Sequence, residues 1–203
     1  MIDKANSGYG ASMNMGLEAA RGKYIAILES DDYFELDALE KLYCAAESCD
    51  AQVVKANFWM YWSKPEERNE PFALVTKEMS GRLVNPQIET GIFYLKPSIW
   101  SALYRRDFLE ENGIRFLETP GASYQDAAFN FKVWASATKA FYLQDEIIHY
   151  RQDNEASSVN SPSKVYCVCD EYAEMDKFLA NRPEKQCLKP VEEKMKYDTY
   201  MWN

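Results

Sequence analysis

The chain has 203 residues, 47% of them apolar, and a formal charge of -9 at pH 7; this suits one globular domain with a small appendage and argues against a nucleic-acid footprint, which needs basic patches. No run is long and apolar enough to span a membrane and the N-terminus has no signal-peptide pattern, so a cytoplasmic location is expected. The five cysteines (Cys44, Cys49, Cys167, Cys169, Cys187) lack paired C-x-x-C spacing, which points to reduced thiols rather than a zinc site or a disulfide framework.

In chain order, Met13, Leu17 and Ala20 give a short helix over 9–21 with Gly22 as its stop, and 23–28 is a short apolar strand. The cluster Glu29-Ser30-Asp31-Asp32 follows at the strand's end. Leu36, Leu39, Leu42, Tyr43 and Ala46 make an amphipathic helix over 36–48, and the β-branched and aromatic stretch 52–62 is a second strand. This alternation predicts an α/β fold with a parallel or mixed sheet and ligands at the carboxyl ends of its strands. Residues 63–79, polar and holding Pro65 and Pro71, form a loop or hairpin excursion. Further on we expect a strand at 98–104, a short helix at 106–112 closed by Gly113, an edge at 115–116, and a helix at 126–137. Strands at 139–143 and 147–151 and a helix at 163–181 follow; Pro183 breaks this helix, and Pro190 bounds a last helical segment.

The acidic cluster has two readings. Carboxylates at the mouth of a buried strand suit a hard cation, Mg2+ or Mn2+, with coordination sites left for phosphate. Ser30 and the aspartates equally suit a turn that caps the following helix.

Six segments in order carry a resemblance. NSGYGASMNMG at 6–16, AARGKYI at 19–25 and the acidic cluster, then WSALYRRDFL at 100–109, SYQDAAF at 123–129 and HYRQDNEASS at 149–158, together resemble a family 2 glycosyltransferase up to about residue 180. The resemblance implies a GT-A-like mixed sheet flanked by helices, residues 1–160 forming a partial GT-A domain and 161–203 a C-terminal helical extension. It also implies N-terminal truncation, because the family's opening strands, ending in P-x-Y-N and D-D-G-S, are not found ahead of Asn6. An exposed sheet edge is expected there, with a homodimer across it.

The implied activity is inverting, metal-dependent transfer of a sugar from a nucleotide-diphosphate donor to a glycan, lipid-linked or other acceptor, as in cell-surface polysaccharide synthesis, with Mn2+ or Mg2+ as cofactor and a possible peripheral position at the inner membrane face. By resemblance Asp32 and Asp31 hold the metal, Asp31 also contacting donor, while Glu29 stands where many relatives carry Asp. Asp126 is the general base, or else only the N-cap of its helix. Asn6, Gly8, Asn14 and Arg151 fall on the donor side, and Trp100, Tyr124 and Gln125 on the acceptor side, Gln125 replacing a usual glutamate. Met13 replaces a usual arginine. His149 could reach the metal, and Asn154, Ser157 and Ser158 could close a polar loop over the donor. The competing readings are an inactive glycosyltransferase-like remnant or interaction module, and a metal-dependent phosphohydrolase.

Overall fold

A computed structural model describes residues 2–119, 124–154 and 167–202 of the chain. Its elements are α1 (Tyr9–Ala19), β1 (Tyr24–Ala26), β2 (Tyr33–Phe34), α2 (Ala38–Cys49), β3 (Val53–Trp62), β4 (Arg68–Phe72), β5 (Leu83–Val84), β6 (Ala102–Arg105), α3 (Arg106–Glu111), α4 (Gln125–Ser136), β7 (Ala140–Arg151), α5 (Cys167–Ala180) and α6 (Lys189–Trp202), with single 3-10 turns at Thr90–Tyr94 and Pro183–Leu188. The strands form one mixed sheet in the order β1-β6-β3-β7-β2, with β4 added to β3 and β5 to β7. The pairing β3 to β7 is parallel and the others are antiparallel.

The central strand explains the layering. From Val53 to Phe58 every residue of β3 is buried, the signature of a strand covered on both faces. Helices supply the cover: Ala38, Leu42 and Ala46 of α2, and Phe129, Val133 and Trp134 of α4, are almost completely buried. Met175, Phe178 and Leu179 of α5 and Val191 of α6 belong to the same buried cluster. The expected domain boundary at 160/161 lies outside the described residues. No helix among the described residues is long and apolar enough to cross a membrane.

Four local expectations change. The two short strands at 139–143 and 147–151 are one strand, β7, whose register against β3 shifts on either side of Asn57. Asn57 repairs that irregularity: its amide donates to the carbonyls of Gln144 (3.0 Å) and Val75 (3.2 Å), and its Oδ1 accepts from the Val75 N–H (2.6 Å). The strand expected at 98–104 starts at Ala102, because 98–101 is a turn held by the buried Lys55 ammonium, which donates to the Ser98 carbonyl and hydroxyl. Residues 115–116 pair with no strand among those described; Asn14 takes their backbone instead. The two-residue strands β2 and β5 were not foreseen, being too short for a period-two pattern to show.

Candidate functional site

The acidic cluster follows β1, as expected for a ligand site at a strand's carboxyl end. A turn closes it, the Asp32 N–H donating to the Glu29 carbonyl at 3.3 Å. Each carboxylate then has its own tether. Glu29 Oε1 accepts from the Tyr9 hydroxyl at 2.5 Å, Asp31 Oδ2 from the Asn154 amide at 2.6 Å, and Asp32 Oδ1 from the Arg151 N–H at 2.9 Å. Asp32 Oδ2 is buried and has no hydrogen-bond partner. Burial chiefly, then the neighbouring Asp31 and Glu29, push the Asp32 carboxyl up to about 7 against the opposing Arg151 N–H. Among the described residues no three His, Cys, Asp or Glu side chains converge into a ready-made metal cage. Two carboxylates with an unpartnered oxygen do fit Mg2+ or Mn2+, which in nucleotide sites is held by one or two carboxylates and completed by phosphate oxygens and water.

Asp126 stands in the first turn of α4, which opens on Tyr124 in the left-handed region (φ 58°). Burial raises its carboxyl to about 6, opposed by the N–H groups of Asp126 and Ala127 and by the Lys96 ammonium. Glu171 of α5 is fully buried behind this helix start, its Oε2 accepting from the Ala128 N–H at 3.0 Å. Burial pushes that carboxyl up to about 8.

Two phenols join the strand end to the helix start. Burial first, and then the charges of Asp32, Asp126, Asp31 and Glu29, raise the Tyr150 hydroxyl above its ordinary value. Tyr9 is raised by burial, by its bond to Glu29 and by Asp126. The Lys96 ammonium lies 5.0 Å above the Tyr150 ring, and that ring stacks on Trp100 at 4.5 Å. Tyr150 thus meets Trp100 through its ring and lies under the Lys96 ammonium, on the strand that follows the Asp126 helix.

The remaining predicted residues divide. Trp100 is buried beneath Tyr150, and Tyr124 is exposed at the α4 start. Gln125 is buried and its amide donates to Thr119 Oγ1 at 2.8 Å. Asn6 accepts the Gly8 N–H at 3.1 Å, ordering the turn before α1, and Gly8 takes φ 89°, which its missing Cβ allows. Asn14 is buried and turned toward the 114–118 segment, donating to the Phe116 carbonyl (3.0 Å) and Glu118 (2.8 Å) and accepting from the Phe116 N–H (2.8 Å). The Arg151 guanidinium is committed to Asp153 (2.9 Å) and Ser63 (2.6 Å); its backbone, not its fork, reaches the cluster. His149 bonds Asn69 through Nδ1 (2.7 Å) and Glu35 through Nε2 (2.9 Å) and stacks on Tyr33, so both ring nitrogens are occupied away from the acidic oxygens. Ser157 and Ser158 lie outside the described residues. Sequence reasoning missed Tyr9, Lys96, Tyr150 and Glu171. Tyr9 and Tyr150 lie inside quoted segments, whereas Lys96 and Glu171 carry no local signal.

The Glycosyl transferase family 2 model matches residues 2–113. The chain is 27% identical over 158 residues to the uncharacterized glycosyltransferase EpsJ of Bacillus subtilis, covering 75% of this chain and 44% of that protein. It is 26% identical over 168 residues to the uncharacterized glycosyltransferase YibD of Escherichia coli, covering 78% and 46%. The chain thus spans just under half the length of these curated relatives. Among solved structures, Staphylococcus aureus TarS 1-349 in complex with UDP-GlcNAc superposes with a TM-score of 0.63 at 19% identity, over 91% of this chain and 54% of TarS 1-349, and shares its GT-A-like fold. With the ordered motifs, the mixed sheet and a family match over more than half its residues, the chain belongs to glycosyl transferase family 2.

Proposed function

We propose that the chain carries the catalytic cleft of an inverting, metal-dependent sugar transfer from a nucleoside-diphosphate donor to a hydroxyl of a glycan or lipid-linked acceptor. The observation that carries this reading is the tight acidic turn at the end of β1, where the buried Asp32 Oδ2 has no hydrogen-bond partner beside Asp31. TarS is described with UDP-GlcNAc and with UDP, which supports a uridine nucleotide as the first donor to test. Asp31 and Asp32 would hold the cation, whose positive charge would stabilise the departing diphosphate.

Asp126 accepts the proton of the acceptor hydroxyl as its oxygen attacks the anomeric carbon. The bond from that carbon to the diphosphate breaks, its electron pair leaving with the nucleotide, and the configuration inverts. A carboxyl near 6 is mostly ionised at neutral pH yet basic enough to take a proton, the compromise that general-base catalysis favours. Trp100, buried beneath Tyr150, braces that ring rather than offering a face to a sugar, and Lys96 helps keep Asp126 ionised.

The test is release of nucleoside diphosphate from UDP- and GDP-sugars with Mn2+ and glycan acceptors. Asp126→Asn is expected to lower turnover by about 10^2 to 10^4 with nucleotide binding unchanged. Wild-type turnover in that variant would remove Asp126 from the chemistry, and turnover unaffected by EDTA would remove the cation.

A further inference from the structure

A second, differently charged recess lies away from the acidic cleft, between the loop after α3, the outer face of α4 and the end of α5. Its volume is about 160 Å3, and Arg115, Lys132, Lys177 and Arg182 line it with Glu174 as the one carboxylate. Four cations against one anion leave a local surplus of three positive charges in a chain whose formal charge is -9. Lys132 is almost fully buried and donates to Glu174 at 3.2 Å, which accounts for that carboxylate. Burial depresses the Lys132 ammonium, against the opposing Glu174 and Glu171 carboxylates and with a lesser contribution from Arg182.

The other three cations have no carboxylate within ion-pair distance among the described residues. Arg115 donates to the Ile114 carbonyl at 2.8 Å, and Arg182 to the Asn112 carbonyl at 3.0 Å while resting 4.0 Å above the Phe178 ring. These contacts fix the arginine forks and leave their charge uncancelled. Arg115 and Arg182 are partly exposed and Lys177 is exposed, so an entering anion would exchange their water contacts for charge-assisted ones, and planar guanidinium donors match tetrahedral oxyanions in two-point contacts. At about 30 Å3 for a water, the recess has room for a phosphate group with a little solvent.

We propose that this recess is a phosphate-binding site, taking either free phosphate or a phosphate group of a larger ligand. Occupation would clamp the 113–117 loop to α5. That loop is bonded through Phe116 to Asn14 and leads toward the Asp126 helix, so the site would steady the acceptor side of the cleft.

The test is titration of the full chain with inorganic phosphate at low ionic strength, followed by amide NMR, beside equal ionic strength of chloride and beside Arg115→Gln/Arg182→Gln. Both positions are partly exposed, and circular dichroism checks that the variant is folded; should it not be, Lys177→Gln on the exposed face of α5 replaces it. The expected result is saturable binding that perturbs amides of 113–117 and 177–182 and weakens at least tenfold in the folded variant. No saturable binding, or binding equal in wild type and variant, would overturn the proposal. Parallel titrations with a phosphomonoester and with a dialkyl phosphate separate the sources: binding of the diester points to a phosphate inside a larger ligand, and its exclusion points to free or terminal phosphate.

Discussion

Four carboxyls are held above their ordinary values by burial: Asp126 at about 6, Asp32 at about 7, Glu171 at about 8, and Glu29, which is also pushed up. Their linkage to stability has the opposite sign from that of a salt-bridged acid. Between the unfolded values near 4 and these folded values the native state binds more protons, so the stabilisation is complete at low pH and is lost as pH rises through each folded value. We predict that denaturant stability declines from about pH 5 to about pH 8, and that Glu171→Gln, which keeps the carbonyl acceptor for Ala128, flattens the decline and raises stability at pH 8 by roughly 1–3 kcal/mol. Equal slopes in wild type and variant would show that Glu171 does not titrate as described. In the proposed mechanism catalysis would run the other way at Asp126, because only its ionised form is a base. The rate of sugar transfer should therefore fall as pH drops through about 6, and a pH profile of turnover checks it.

At the scale of elements, α1 is the piece whose fit is most easily tested. A Cβ on Gly10 would stand 2.0 Å from the Leu117 carbonyl oxygen, whereas one on Gly16 would meet nothing within 4 Å. Gly10→Ala must push the helix off the 113–118 loop, with a cost of about 1–3 kcal/mol for overpacking. Gly16→Ala should be neutral or stabilise by up to ~1 kcal/mol through helix propensity. Thermal melts of the two variants read the contrast. The same region shows what the sequence could convey. Hydrophobic periodicity locates α1 and α2 within a few residues, because each buries one face, and the β-branched and aromatic run locates β3, which is covered on both faces. It does not reveal that Asn14 is spent on the Phe116 backbone or that Asn57 patches a shift between β3 and β7, since such contacts join residues 18 to 102 positions apart and leave no local pattern. The acidic turn and Asp126 were legible as motifs; the phenols and Lys96 that unite them became visible only once the sheet had brought β7 beside the 95–101 turn.

Across the whole molecule, the sheet ends at β1, which pairs with β6 on one side and with no other strand among the described residues. An unpaired edge is a template for another strand, so a dimeric mass by light scattering at high concentration is the expected outcome, and a monomeric mass at every concentration would count against pairing there. The charge pattern sets a sharper requirement. On the proposed function, a site built from Glu29, Asp31, Asp32 and Asp126 in a chain of charge -9 would repel a nucleotide diphosphate unless a divalent cation stood between them. Calorimetric titration with UDP and GDP, each with and without Mn2+, tests this most directly. The account predicts heat of binding for at least one nucleotide, present with Mn2+, abolished by EDTA and lost in Asp32→Asn. No heat with either nucleotide in Mn2+, or binding indifferent to both EDTA and the Asp32 substitution, would contradict it.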